Sequence, residues 1–399
     1  MNPLLPRSVP PAGMHIPLKD ILGSLRECLL ARDGAKSFQD AVQRAFGVRH
    51  AFLYSSGKAA LSVALQALGS LAPERDEVLI PAFTSYSVPS AVVNAGFKVS
   101  LYDLDAKTLA PDLASLERAV TGKTLCAVAC HLFGIPCDME AFRAVCRAHG
   151  VPVLDDAAQA MGASRKGGLA GTMGDIGLFS LGRGKAITCV SGGVLATDDD
   201  RLAQAISAVA VPEATRMDDL RACAVALAMN VLLRPRLYWI PQSLPFMGLG
   251  KSQFDPNFPV LGLGSFQAAL GRRMLAGLDE SNSRRRDQAR AMLSRLGDMQ
   301  DELAVPVPGD CSPVYPRLPL LAGDGHADRL GGHGVSRSYP DSLDRLEPLR
   351  GHLASASDCP GARRLAAELV TVPTHSYLTG EDMDAIASGL AGGQGRRPA

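Results

Sequence analysis

An excess of charge of either sign is what this chain lacks most plainly. Its 41 Lys and Arg stand against 40 Asp and Glu, a formal net charge of +1. Without a basic excess, a role resting on nucleic acid or another polyanion is excluded. The triplet Arg284-Arg285-Arg286 lies among acidic and amide residues and reads as a solvated helix face. No C-x-x-C pair occurs among the nine cysteines, which excludes a zinc ribbon or a dithiol redox motif, and no metal site is expected. The cysteines are odd in number and scattered, with Cys126 and Cys130 read as small core residues in an apolar run; a reducing, cytoplasmic setting follows. Long clean apolar runs are missing too. The most hydrophobic segment, Ala222 to Ile240, is interrupted by Asn230, Arg234, Pro235 and Arg236, short of the roughly 20 apolar residues of a spanning helix. It reads as a buried or interface helix, with peripheral contact to a membrane surface or a greasy substrate as the sharper alternative. Residues 1–14 hold Pro and Arg but no apolar stretch, so no signal peptide is expected. Internal repeats are also absent.

What is present is alternation. At 399 residues the chain can bury a large core, divided into two domains. Val78–Ile80, Val99–Leu101, Leu125–Ala129 and Val151–Leu154 read as strands, and Lys58–Leu68, Val88–Asn94, Leu113–Val120 and Met139–His149 as the helices among them. Short apolar strands separated by helix-length segments imply crossover connections and a mainly parallel sheet sandwiched by helices. Leu178–Leu181 and Val194–Thr197 add two strands; beyond a Pro/Gly/Asn-rich connection at Gly248–Pro259, Phe266 to about Leu303 reads as a helix and Leu318–Leu321 as a strand. The expected division is an N-terminal arm over residues 1–20, a large α/β domain over 21–245, a smaller α+β domain over 246–392 and a tail over 393–399.

Ligands of such sheets bind beyond the carboxyl ends of the strands. Asp155-Asp156 ends one strand, and thirty residues on, Phe179-Ser180-Leu181-Gly182-Arg183-Gly184-Lys185 leaves another. An amine and a carboxylate at one rim are what a protein needs to hold pyridoxal phosphate: Lys185 forms the Schiff base, and Asp156 keeps the pyridine nitrogen protonated. Asp156 has a duller reading as a helix N-cap, for which Asp155 is the better candidate. Ser55-Ser56-Gly57-Lys58 opens a helix; Ser56 can cap it, and Gly57 lets its backbone approach an anion such as the cofactor phosphate. Ser180 can offer a hydroxyl to the same phosphate. Lys58 either pairs with that phosphate or carries its charge into solvent.

The motifs Ser56-Gly57-Lys58-Ala59-Ala60-Leu61, Asp76 to Thr84, His131 to Met139, Asp155 to Ala160, Gly174 to Ser180, Gln267 to Gly271 and Cys359-Pro360, in this order, resemble the DegT-type sugar aminotransferases, fold type I pyridoxal phosphate enzymes. The resemblance covers about Ala51 to Thr379. It implies that Lys185 is the Schiff-base lysine and Asp156 the partner of the ring nitrogen. Gln159 resembles the glutamine near the phenolic oxygen, while Gly57, Lys58 and Ser180 fall where the phosphate is held. An aromatic ring is expected over the cofactor; Ser85 takes the usual position, leaving Tyr86 or Phe83. Lys58 replaces the family's Thr or Ser. Val190-Ser191-Gly192-Gly193 replaces a Gly-acid-Gly-Gly stretch, and Val260-Leu261-Gly262-Leu263 an Asn-x-Arg-Met that crosses a dimer interface. Arg183 is either a substitute cation or a surface residue.

The activity implied is transfer of an amino group from an amino acid, glutamate by resemblance, to a keto sugar, nucleotide-linked by the same token, within a homodimer. Two other readings stand beside it. A dehydratase, or a transaminase of a non-sugar or lipid-linked ketone, would fit the missing Asn-x-Arg; related dehydratases replace the lysine by His, so Lys185 favours transamination. A catalytically silent regulatory homologue would not need the intact Lys185, Asp156 and Gln159.

Overall fold

The computed structural model describes residues 7–30, 34–243, 253–323 and 325–391. The expected tail over 393–399, the first six residues of the arm and part of the Gly248–Pro259 connection lie outside them. The centre is a seven-stranded sheet built from β1 (His50–Tyr54), β2 (Glu77–Pro81), β3 (Lys98–Tyr102), β4 (Thr124–Cys130), β5 (Val153–Asp156), β8 (Ile176–Ser180) and β9 (Gly193–Thr197), in the order β1-β9-β8-β5-β4-β2-β3. The hairpin of β6 (Ser164–Arg165) and β7 (Gly168–Leu169), which sequence reading misses, pairs with β10 (Cys311–Ser312). A C-terminal sheet holds β11 (Arg317–Leu321), β12 (Ser336–Arg337) and β13 (Leu369–Pro373), in the order β11-β13-β12.

Strands β3, β2, β4, β5 and β8 run parallel; β9 is antiparallel to both β8 and β1. β1 therefore points the same way as β8, so Tyr54, Pro81, Cys130, Asp156 and Ser180 all end at one rim. All seven residues of β4 are buried, as an apolar strand with helices on both faces must be. Around the sheet stand α1 (Leu18–Leu30), α2 (Gly34–Phe46), α3 (Gly57–Leu71), α4 (Ser87–Asn94), α5 (Leu113–Ala119), α6 (Met139–Ala148) and α7 (Asp200–Ala208). Helix α3 is buried nearly all round, from Ala59 to Leu68; its alanines allow close approach to the strands on one side and to α4 and α7 on the other.

Three expectations shift. β5 begins at Val153 rather than Val151, because Pro152 has no N–H for the ladder and Val151 N instead donates to Cys146 O at 3.0 Å. Both aspartates are thereby drawn into the strand. The single helix expected from Phe266 to Leu303 is broken at Ala276-Gly277 into α10 (Ser265–Leu275) and α11 (Leu278–Leu296); Gly297, at φ 55°, ends the second. The segment Ala222–Ile240 is not one buried helix. α8 (Arg216–Leu232), which starts on a Thr215/Asp218 capping box, buries Ala222, Cys223, Ala226 and Met229 and exposes Leu220, Leu227 and Val231. The short α9 (Trp239–Gln242) follows it. α10 packs on α1, α2 and α8.

The N-terminal arm is tied to the C-terminal region. Arg7 pairs with the buried carboxylate of Asp382, and Val9 N donates to Gly332 O at 2.9 Å. His375 lies 5% exposed, with Nε2 donating to Pro10 O at 2.8 Å and Nδ1 accepting from Tyr377 N at 3.3 Å. Both ring nitrogens are thus occupied by the neutral tautomer. Burial, helped by the charges of Arg285 and Arg317, pushes this imidazole down to about 4. A depressed histidine contributes stability that is complete above its unfolded value near 6.5 and lost as pH falls toward the folded value. Denaturant titrations at stepwise pH should show parent stability falling by about 3 kcal/mol between pH 6.5 and 4 relative to His375→Gln, which keeps a donor for Pro10 and cannot charge. Parallel curves for the two proteins would remove His375 as the cause.

Candidate active site

The rim holds a cavity of about 220 Å³. One wall is the start of α3. Ser56, in extended backbone, accepts from Ala59 N at 3.1 Å and so caps the helix. The first-turn N–H groups of Gly57 and Lys58 come before the helix's own bonds begin, a ready donor set for an anion. Space at Gly57 is tight: a Cβ there would lie 3.0 Å from Ser180 Oγ. Gly193, opposite Ser180 in β9, is tighter still, since its Cβ would meet Ser56 O at 2.3 Å. Helix start and strand end are thus pressed together, and the Ser180 hydroxyl joins the backbone donors.

Lys185 reaches the cavity from the loop after β8. Gly184, at φ 75°, makes the turn, and Lys185 N donates to Gly182 O at 3.3 Å. Arg285 fixes the loop from behind by donating to Lys185 O at 3.1 Å. Burial lowers the proton affinity of the Lys185 amine; Asp156 and Cys130 work against this, and Arg317 adds to it. Burial raises the Asp156 carboxyl, opposed by a 2.9 Å bond from Ala158 N and by the charge of Lys185. Gln159 lines the cavity too, its Oε1 accepting from Phe133 N at 3.3 Å and its Nε2 donating to Tyr339 Oη at 2.8 Å.

Gly57, Lys58, Asp156, Gln159, Ser180 and Lys185 all line this one cavity. Tyr86 does not. It is 3% exposed, and its hydroxyl donates to Asp341 O at 3.0 Å and accepts from Asp341 N at 2.9 Å. Phe83 is also buried, edge-on to Tyr339 with ring centroids 5.0 Å apart. The rings turn into the core because the C-terminal segment offers partners there; Thr84, Ser85 and Ser87 face the cavity instead. Arg183 is exposed and lies outside the lining. Asp155 caps no helix. It is fully buried, with Oδ1 2.6 Å from His131 Nε2 and Oδ2 accepting from Met173 N at 2.9 Å. Cys137 N donates to His131 Nδ1 at 3.1 Å, so the ring donates through Nε2 and is held rigid beside the cavity. Cys130 is core, as expected, but also cavity lining, with Sγ 3.5 Å from Asp156 Oδ2.

Sequence alone assigns no part in the site to His131, Cys130 or Tyr339. His131 had a signal, its place directly after the β4 run; Tyr339, 180 residues from Gln159, had none. Ser191 and Gln267 join them: Gln267 Nε2 donates to Ser191 O, and Ser191 Oγ to Ser55 O at 2.6 Å, tying the approach to α3 to the turn before β9.

The model of the DegT/DnrJ/EryC1/StrS aminotransferase family matches residues 25–233 and 261–391. The L-glutamine:2-deoxy-scyllo-inosose aminotransferase of Streptoalloteichus tenebrarius is 30% identical over 383 residues, covering 86% of this chain and 82% of that protein. GDP-perosamine synthase of Caulobacter vibrioides is 29% identical over 374 residues, with 88% of each covered. The solved structure of E. coli GDP-4-keto-6-deoxy-D-mannose-3-dehydratase with bound hydrated PLP matches with a TM-score of 0.76 at 19% identity, covering 96% of this chain and 99% of that one. That likeness is one of fold alone, and the fold is type I, as the sequence motifs implied.

Lys58 does not simply carry its charge into solvent. Its ammonium lies 4.2 Å from the centroid of Phe258 and 3.7 Å from Asp255 Oδ2 while its side chain lines the cavity. A cation on an aromatic face is held only weakly where partly exposed, so a phosphate arriving at the α3 terminus can draw it over. Lys58→Thr should weaken binding of pyridoxal phosphate by about 1–3 kcal/mol, as for hydrogen bonds to charged groups, in an equilibrium titration of cofactor-free protein. Unchanged affinity would mean that the ammonium stays on Phe258.

Proposed function

The chain belongs to the DegT/DnrJ/EryC1/StrS aminotransferase family, and from that premise we propose that it transfers an amino group from an α-amino acid to a ketone on a sugar or sugar-like ring, with pyridoxal phosphate as cofactor. The observation that carries this reading is the amine of the half-buried Lys185 sharing one cavity with the buried carboxylate of Asp156, beside a helix N-terminus. The donor set suits the cofactor: a primary amine, a carboxylate and an anion cradle that a Cβ at position 57 would crowd. Bound there, pyridoxal phosphate supplies an aldehyde that condenses with amines and a ring that accepts electrons.

The rest is the work of the chain. The first turn of α3, Ser180 and Lys58 hold the phosphate. Asp156 holds the proton at the ring nitrogen. A carboxyl whose pKa is raised by burial is the better matched partner for a pyridinium, because the two sites then compete for the proton on closer terms. Lys185 would hold the cofactor covalently and, when its amine is free, would serve as a general base at the donor's α-carbon. Its amine suits that task because burial lowers its proton affinity, raising the neutral fraction at working pH. Gln159 stands ready near the phenolic oxygen, braced by Tyr339 and Phe133 N.

Glutamate is the donor first expected, and one relative is named for glutamine; both present the α-amino carboxylate that the chemistry requires. The acceptor is a polyhydroxylated ring ketone, nucleotide-linked or free, since the two relatives are named for a GDP sugar and for an inosose. Retention of an amine at position 185 favours transamination over dehydration. In this reading residues 21–245 form the cofactor-binding domain and 246–392 a small domain, although α10 packs on the former. Cytoplasmic residence agrees with nine free cysteines, and among the described residues no helix is long and apolar enough to cross a membrane. A homodimer would cover Leu22 and Leu29 of α1 together with Leu220 and Leu227 of α8, all exposed.

Mixing loaded protein with single amino acids and following loss of the bound-cofactor absorbance should reveal one or a few effective donors. No response to any amino acid would instead support a silent homologue. Borohydride reduction and peptide mapping should place the cofactor on Lys185. Asp156→Asn should still bind cofactor yet turn over on the order of 100-fold more slowly, since an amide cannot take the carboxylate's share of the proton; near-parent turnover would remove Asp156 from the role. Light scattering of the loaded protein should give twice the chain mass, and an active monomer would sink the dimer.

A further inference from the structure

Asp156 is held unevenly. Oδ1 accepts from Ala158 N at 2.9 Å, a full-strength backbone bond. Oδ2 has a different neighbour, the thiol of Cys130 at 3.5 Å, and no nitrogen or hydroxyl donates to it among the described residues. Thr84 Oγ1 lies 3.6 Å from the same sulfur and donates to it. A thiol has one proton. With its sulfur accepting from Thr84, that proton goes to Asp156. Thr84, Cys130 and Asp156, from three neighbouring strand ends, form one chain of donors, and all three line the cavity.

We propose that Cys130 is a positioning residue for Asp156, which orients Oδ2 through a bond weak enough to cost the carboxylate little of its basicity. Serine would orient the same oxygen, but a hydroxyl stabilises the charged form and makes the carboxylate a poorer proton acceptor. Valine would return that small share of basicity and lose the orientation. Between them the thiol supplies direction at little electrostatic expense. The other groups facing this carboxyl are Lys185 from the loop after β8, His131 after β4, Tyr102 at the end of β3 and Tyr339 from the C-terminal region; all four side chains are kept in the Cys130 variants, although Lys185, Tyr102 and Tyr339 also sense the thiol. The inference rests on the reading of Asp156 as the cofactor's partner, but its test does not.

The test uses the full chain without cofactor. Aspartate is labelled with ¹³C at the carboxyl, the protonated band of Asp156 is followed by infrared difference titration, and Asp156→Asn identifies the band. Cys130→Ser should bind the Asp156 proton roughly tenfold more weakly than the parent, the difference between a weak and a charge-assisted hydrogen bond. Cys130→Val should bind it more tightly than the parent, and Thr84→Val, which frees the thiol proton to turn away, should shift in the same direction by less. Identical titrations in the parent and the serine variant, or tighter binding in the serine variant, would overturn the proposal. If the valine variant does not fold, the serine and Thr84 variants still decide it. A normal turnover of Asp156→Asn would overturn the cofactor reading instead, leaving the measured thiol bond in place.

Discussion

A lysine amine and an aspartate carboxyl share one small cavity at the carboxyl rim of a buried sheet, and much of the molecule serves that arrangement. Burial alone drives each toward its neutral form, lowering Lys185 and raising Asp156. Their mutual attraction works the other way. Burial outweighs the attraction, so the amine stays lowered and the carboxyl raised, which suits a proton-transfer site: groups whose protonation is neither fixed by water nor locked in a full ion pair. A pair of buried charges is weak evidence for stability, because desolvation offsets their attraction. Its place here is explained by chemistry.

The arrangement depends on strand direction. Because β9 runs antiparallel to both β8 and β1, the end of β1 and the end of β8 meet at the same rim, placing the start of α3 against Ser180. Gly57 and Gly193 make the closeness possible. A helix terminus can serve as an anion site only where something can approach its free N–H groups, and here two glycines and a serine leave that approach open. The open start of α3 and the lysine loop are therefore consequences of one local topology.

How much of this was legible in the sequence follows from how local each determinant is. Lys185, Asp156, Gly57 and Ser180 lie at strand ends, and strand ends are written in the alternation of short apolar runs with helical segments. The parallel sheet was legible for the same reason. The side chains whose contacts were not legible are those whose surroundings come from far along the chain. Tyr86 turns inward because the backbone of Asp341, 255 residues away, takes its hydroxyl. Lys58 meets Phe258 and Asp255 from the connection that composition marked only as irregular. Asp155 looked like a cap because acids before helices usually are, but His131 and Met173 N claim its two oxygens. The break at Gly277 lies inside a pattern whose period gave no reason to stop.

The same distance-dependence explains two costly residues. Arg285 is 3% exposed and donates to Pro316 O at 2.8 Å, Gly13 O at 3.3 Å and Lys185 O at 3.1 Å, all of them neutral carbonyls. Burial pushes its guanidinium down to about 10, and Arg317 likewise. A buried cation without a carboxylate is unfavourable for folding. A carboxylate here would relieve that cost, but it would also put a negative charge behind Lys185 and raise the very proton affinity that the cavity lowers. Neutral carbonyls satisfy the guanidinium's geometry without that effect. They come from the N-terminal arm, from the approach to β11 and from the lysine loop itself, so one side chain fixes three distant segments around the amine. Arg317 acts through its field, being among the charges that disfavour the protonated amine. The electrostatics of a cavity built by the central sheet are thus set in part by the arm and the C-terminal region, parts of the chain that contribute nothing to its lining.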